Sequence, residues 1–167
     1  NFDLEWQFSI RWVDTNAPRP RWRFNAAKRI TPRFQVGIEY NATVGEWTPT
    51  ANWTLSPETD DLPMINLGTS SDRIFSPPGK QSYYVTFAKG IRETPLSPWI
   101  SLSYSGWEGR LLFAFGCNVS LSPRWDFMPM HDGRNTHLPL TYRTANKNIS
   151  LLLVKMRYPG ISVGFGF

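Results

Sequence analysis

The sequence predicts an all-β chain folded as an antiparallel up-and-down transmembrane β-barrel of about twelve strands, with ten as the alternative, in a single domain over residues 1–167. Three observations lead there. Large apolar residues alternate with small or polar ones through most of the chain, as in a strand whose two faces meet different surroundings. Residues 160–167 do so strictly: Ile161, Val163, Phe165 and Phe167 share one face, and Gly160, Ser162, Gly164 and Gly166 the other. Aromatics reach 15%, with eight Trp, while charged residues are only 19%, below the roughly 25% of soluble domains. A membrane helix needs about 20 consecutive apolar residues, and the chain has no such run.

Each strand has its own warrant. Residues 2–13 place Phe2, Leu4, Trp6, Phe8, Ile10 and Trp12 opposite Asp3, Glu5, Gln7, Ser9 and Arg11. A helix would spread those aromatics around its circumference, and the length suits a tilted crossing. Pro18 and Pro20 mark residues 14–20 as a loop. Residues 21–30 and 33–41 form the next two strands, turned tightly at Thr31 and Pro32; Ala26 and Ala27 also leave the first compatible with a short helix. Residues 47–55 alternate again, and Pro49 is expected to interrupt pairing there.

The middle and end follow the same rhythm. After an acidic turn at 56–62, residues 63–75 read as a strand, and Pro77, Pro78 and Gly79 as a turn. Strands at 82–88 and 99–105 flank a turn at 95–98, and a hairpin loop at 106–109 leads to the cleanest interior strand, 111–121. Ser122 and Pro123 repeat the tight-turn chemistry before the returning strand at 124–130. A polar loop at 131–135, a strand at 137–143 and a turn at 144–147 come next. Alternation slips across 151–154 within the strand at 148–158, where a bulge is expected. The loops are short on both sides, and the count is even, as in single-chain bacterial barrels.

Alternation alone does not separate a soluble barrel from a membrane one. Here the polar face carries Ser, Thr, Asn and Gly rather than Lys and Glu, which suits a crowded interior. Trp6, Trp12, Trp47, Trp53, Tyr104, Trp125, Tyr142 and Tyr158 fall near strand ends, as an interfacial girdle requires. The terminal Phe and the tight Thr-Pro and Ser-Pro turns are the motifs by which the chain resembles bacterial outer-membrane β-barrels. The segments GTSSDR (68–73) and MPMHDG (128–133) resemble signatures of such barrels of unassigned function. That resemblance implies a bacterial outer-membrane location and periplasmic termini. It also implies contact with outer-membrane lipid and lipopolysaccharide, and a C-terminal Phe167 read by the barrel-assembly machinery.

The remaining features narrow the function. A net charge of +5 and a pI near 9.6 raise nucleic acid as a partner, but the basic residues are scattered rather than gathered, so none is expected. Cys117 is the single cysteine, which excludes an internal disulfide, and its parity with Phe113 and Phe115 predicts a buried or lipid-facing thiol. Asn1 in place of Met suggests a mature or trimmed chain. The sequons at Asn41, Asn52, Asn118 and Asn148 are read as products of inward polar alternation rather than glycosylation sites. No metal, cofactor or nucleotide motif occurs.

The candidate functional residues are the charges of the polar face: Arg11, Arg21, Arg23, Arg29, Arg143, Glu5 and Glu39, with Asp72, Arg73 and Asp126 placed less directly. Enclosed charges must be solvated or paired. One reading is a small passive pore whose arginine excess favours anions, similar to the acidic-oligosaccharide porins of about twelve strands. Another is a plugged interior in which Arg and Glu neutralise one another, making a non-conducting structural or anchoring barrel among other envelope proteins. Basic residues at an outer rim would instead meet lipopolysaccharide phosphates. A lipid-acting enzyme would need a serine such as Ser70, Ser71 or Ser105 beside His131 or His137 and an orienting Asp132. The expectation is a barrel that is not an enzyme.

Overall fold

In a computed structural model, residues 4–167 are described, and the wall is one antiparallel sheet closed on itself. Phe2 and Asp3, read above as the start of the first strand, lie outside the described residues. The strands are β1 (Trp6–Val13), β2 (Trp22–Thr31), β3 (Phe34–Asn41), β4 (Glu46–Ser56), β5 (Met64–Ser71), β6 (Gln81–Ala88) and β7 (Leu96–Ser105). They continue as β8 (Arg110–Ser122), β9 (Trp125–Phe127), β10 (Met130–His131), β11 (Thr136–Arg143), β12 (Lys147–Val154) and β13 (Tyr158–Gly166). A four-residue helix, α1 (Pro18–Arg21), precedes β2.

Closure comes from β13 pairing with β1, in unbroken register from Gln7↔Gly166 to Val13↔Gly160. The short β9 and β10 both lie between β8 and β11. The thirteen strands of the sheet therefore occupy twelve wall positions. The break between β9 and β10 falls at Pro129, whose carbonyl still accepts the Cys117 amide at 3.1 Å. Closure removes every unpaired edge, which a barrel in lipid requires.

The two faces invert the arrangement of a soluble protein. Among the described residues the buried apolar side chains are Val13, Leu112 and Val154, whereas Arg19, Glu39, Asn41, Glu46, Asp72 and Asp126 are buried polar ones. Outside, Trp47, Trp53, Tyr83, Leu111, Phe113, Leu151 and Phe165 are exposed. An apolar exterior around a polar interior is what contact with acyl chains demands. All four sequon asparagines sit on the inward parity; Asn41 is 2% exposed, and Asn148 lies against Gly164.

Several expectations are corrected. Residues 63–75 are not one strand: β5 ends at Ser71, and Phe75 turns into the left-handed region at φ 74°. Residues 72–80 form a loop, longer than the short connections expected. Pro49 does not break β4. The ladder with β3 runs unbroken from Phe34↔Trp53 to Asn41↔Glu46, while pairing with β5 begins only at Ala51, so the missing amide costs no bond. No bulge occurs in β12, which keeps register with both neighbours. The alternation looked broken because Leu152 and Val154 point inward beside outward Leu151 and Leu153. The 148–158 strand stops at Val154, followed by a turn in which Lys155 and Met156 have φ of 54° and 55°. The register shifts that do occur lie on the strands entering the tight turns, at Arg29 to Thr31 and Ser120 to Ser122, and at Thr54 to Ser56.

Candidate functional site

One group of interior charges stands on β1, β2 and β3. β1 and β2 face Arg11 directly against Arg23, and β3 brings Glu39 beside them. Arg23 Nη1 meets Glu39 Oε2 at 3.2 Å. Glu39 also accepts hydrogen bonds from Asn41 Nδ2 at 3.1 Å and from Ser71 Oγ. The Arg11 side chain has no ion pair or hydrogen bond among the described residues; the charges acting on it are Arg23, Glu39 and Arg19. Glu39 is committed to Arg23, so Arg11 is a surplus cation inside the barrel.

The loop at 72–80 crosses the mouth at the end opposite the chain termini. β5 and β6 stand six wall positions from β12 and β13 in a ring of twelve, which is diametrically across. Phe75 nevertheless reaches Tyr158, with ring centroids 5.5 Å apart, and Lys155 Nζ lies 3.9 Å from the Phe75 ring. The loop is a strap. Its other ties are polar and buried. Glu46 Oε2 accepts from Arg19 Nε and from Asn41 Nδ2, both at 2.8 Å, and its Oε1 accepts from the Gly79 amide at 2.6 Å. Arg19 Nη1 donates to Ser76 Oγ and to the Arg73 carbonyl, each at 2.9 Å. Asp72 accepts from Ser105 Oγ at 2.6 Å and from the Trp107 amide at 3.0 Å.

A second cluster sits on the β7–β8 turn. Glu108 pairs with Arg73, Arg110 and Arg134, and Arg73 and Arg134 lie over the Trp107 ring at 5.9 and 5.6 Å. Desolvation pushes the Glu108 carboxyl up, but hydrogen bonds from Arg134, Arg73 and Arg110 outweigh it and hold the group at about 2. Asp132, in the loop before β11, behaves alike. Its partial burial is offset by His137 and the amides of Asn135 and Arg134, and its carboxyl also falls to about 2.

Beneath the strap lies a cavity of about 220 Å³. Ile74, Met130, Pro139, Leu152 and Val154 form its apolar wall, and Arg11, Arg73, Asp132 and His137 its polar one. The inward apolar pair Leu152 and Val154, which disguised the alternation of β12, is this wall. Toward the termini the interior opens into a space of about 370 Å³ bordered by Gln7, Ser9, Asn25, Gln35, Thr50 and Asn148, all uncharged.

The sequence-predicted residues fall as follows. Arg11, Arg23 and Glu39 come together. Arg143 faces inward on the far wall, bound to Asp126 at 2.7 Å. Arg29 is half-buried near the termini, where its amide donates to the Glu5 carbonyl at 2.8 Å. Glu5 is exposed at that rim and pairs with Lys28 at 3.3 Å. Arg21 ends α1 at the mouth and is exposed. Phe167 continues the closing strand, exchanging backbone hydrogen bonds with Trp6 and stacking on Phe8 at 6.0 Å.

The hydrolase constellation does not assemble. His137 Nε2 meets Asp132 Oδ2 at 3.0 Å, and its Nδ1 accepts the Lys155 amide at 3.3 Å, so both ring nitrogens are engaged. His131 bonds Thr136 Oγ1 and packs on outward-facing Phe115. Ser71 and Ser105 are bound to Glu39 and Asp72, and Ser70 to a backbone carbonyl. No serine hydroxyl bonds either histidine among the described residues.

Sequence reasoning missed Arg19, Glu46, Glu108 and Arg134, since each stands in a connection or at its edge, where there is no period to read. The available signal was the pair of segments GTSSDR and MPMHDG. They supply Ser71, Asp72 and Arg73 on one side and Met130 and Asp132 on the other, and both border the strapped cavity.

A closed antiparallel barrel of twelve wall positions, apolar outside and polar within, has the architecture of a transmembrane β-barrel. Among solved structures the chain is similar to the NanC porin, at 10% identity and a TM-score of 0.60, over 97% of this chain and 98% of that one. It also aligns with OprB of Pseudomonas putida at 16% identity and a TM-score of 0.42, spanning 98% of this chain and 62% of that longer one. The first match shows a shared fold. No family model matches the chain, and neither does any curated protein sequence.

Proposed function

We propose that this barrel is a narrow passive channel of the bacterial outer membrane, with a lumen that favours small anions. Arg11 carries the reading: it projects a guanidinium into the interior without a carboxylate of its own, next to Arg23 and Arg19. A charge enclosed by low-dielectric walls focuses its field along the pore axis. The amide- and hydroxyl-lined half toward the termini supports water there, and the strap makes the opposite mouth the constriction. The decisive measurement is the reversal potential of the detergent-folded protein in a planar bilayer under a salt gradient. Wild-type protein should favour the anion, and Arg11→Gln should move the reversal potential toward zero. Unchanged selectivity in Arg11→Gln would sink the anion assignment.

The strap itself favours a second reading, a non-conducting envelope barrel. It reaches the opposite wall and is tied by buried groups on α1, β4 and β7. A folded barrel silent in the bilayer at every applied voltage would select it.

A further inference from the structure

We propose that the cavity beneath the strap binds a short aliphatic carboxylate, with its headgroup on Arg11 and Arg73 and its tail on the wall formed by Leu152 and Val154. This deepens the channel reading above and rests on the same lumen. Two buried nitrogens carry the inference: Arg11 Nε and Arg73 Nη1 have no hydrogen-bond partner among the described residues. Both side chains border the one cavity. A buried donor left unmade costs stability; both nitrogens are closed off as the side chains stand, and a small turn of either guanidinium toward this space would give an anion charge-assisted bonds.

The rest of the wall sets the ligand class. Ile74, Met130, Pro139, Leu152 and Val154 are apolar, an unusual lining for an interior that is mostly polar or charged. They leave no second set of polar partners for a multiply charged ion or a sugar ring. Asp132 is the carboxylate among the lining residues. It is engaged by His137 at 3.0 Å and by the amides of Arg134 and Asn135 at 2.8 and 2.7 Å, so its charge is answered locally. The volume, about 220 Å³, lies below the roughly 300–1,000 Å³ of pockets for drug-sized ligands. The occupant is therefore small, with one charge at one end and a few methylene groups at the other.

Calorimetric titration of the full chain folded in a neutral maltoside detergent, corrected for empty micelles, tests this with hexanoate, 1-hexanol, acetate and inorganic phosphate. Hexanoate should saturate one site, with 1-hexanol and acetate each weaker by about tenfold or more, since one loses the charge-assisted bonds and the other the buried tail. Comparing hexanoate with 1-hexanol on unmodified protein decides the charge requirement without any variant. Arg11→Gln should weaken hexanoate by about tenfold, and Leu152→Asn should weaken hexanoate while leaving acetate unchanged. Equal binding of hexanoate and 1-hexanol would reduce the cavity to an apolar crevice and overturn the proposal. Tighter binding of phosphate than hexanoate would overturn it in favour of a phosphate or lipid-headgroup site. Calorimetry reads binding without conduction: a silent barrel that binds hexanoate sinks the channel and keeps the site, and a conducting barrel indifferent to hexanoate does the reverse.

Discussion

Arg19 and Glu46 form a buried ion pair at 2.8 Å, with side chains 7% and 4% exposed, and the pair holds the strap across the mouth. Glu46 is the junction. It joins α1 through Arg19, β3 through Asn41 and the strap through the Gly79 amide. Glu46→Ala would leave a buried guanidinium unanswered, a loss of about 3–5 kcal/mol in comparable pairs. Two outcomes are therefore expected together: a lower urea midpoint in detergent, and a larger or noisier single-channel conductance as the strap loosens. A full loss of midpoint with unchanged conductance would show that the strap is not what narrows the mouth.

Gly68 and Tyr84 face each other on neighbouring strands inside the wall. A Cβ at Gly68 would come within 2.4 Å of the Tyr84 ring and hydroxyl. Gly68→Ala forces the ring off its rotamer or moves the strand, and overpacking of this kind costs about 1–3 kcal/mol. The prediction is a destabilised barrel by urea titration. Tyr84→Ala in the same chain should restore most of the loss, because it removes the atom that is struck. Additive losses in the double variant would show that Gly68 serves its backbone rather than its neighbour.

Phe113, Phe115 and Leu121 on the outside, and Arg11, Arg23 and Glu39 inside, were legible because an apolar exterior permits few exceptions and a period of two then fixes both faces. The closing strand was legible for the same reason, down to Gly164 beneath Asn148. Leu151 to Val154 were not, since apolar residues on both faces erase the period. The strap was hidden because Ile74 and Phe75 are apolar enough to read as the end of a longer strand, although β5 stops at Ser71 and Phe75 turns to a positive φ. Arg21 was read inward by parity, but Pro18 and Pro20 start a helical turn that lifts it out of the wall. The partnership of Arg19 with Glu46 spans 27 residues, and no local pattern encodes it.

Asp132 and Glu108 give the mouth a defined response to acid. Each folded carboxyl lies near 2, against about 4 for unfolded carboxylates. Between those values the unfolded chain binds more protons, so stability rises with pH there. The contribution is complete above about pH 4 and disappears as pH falls through about 2. Urea midpoints measured from pH 6 down to pH 2 should therefore fall most steeply below pH 4. Asp132→Asn with Glu108→Gln should lower the midpoint at neutral pH and flatten the acid limb. An acid limb of the same slope in the double variant would place the sensitivity in the carboxylates of the barrel interior instead.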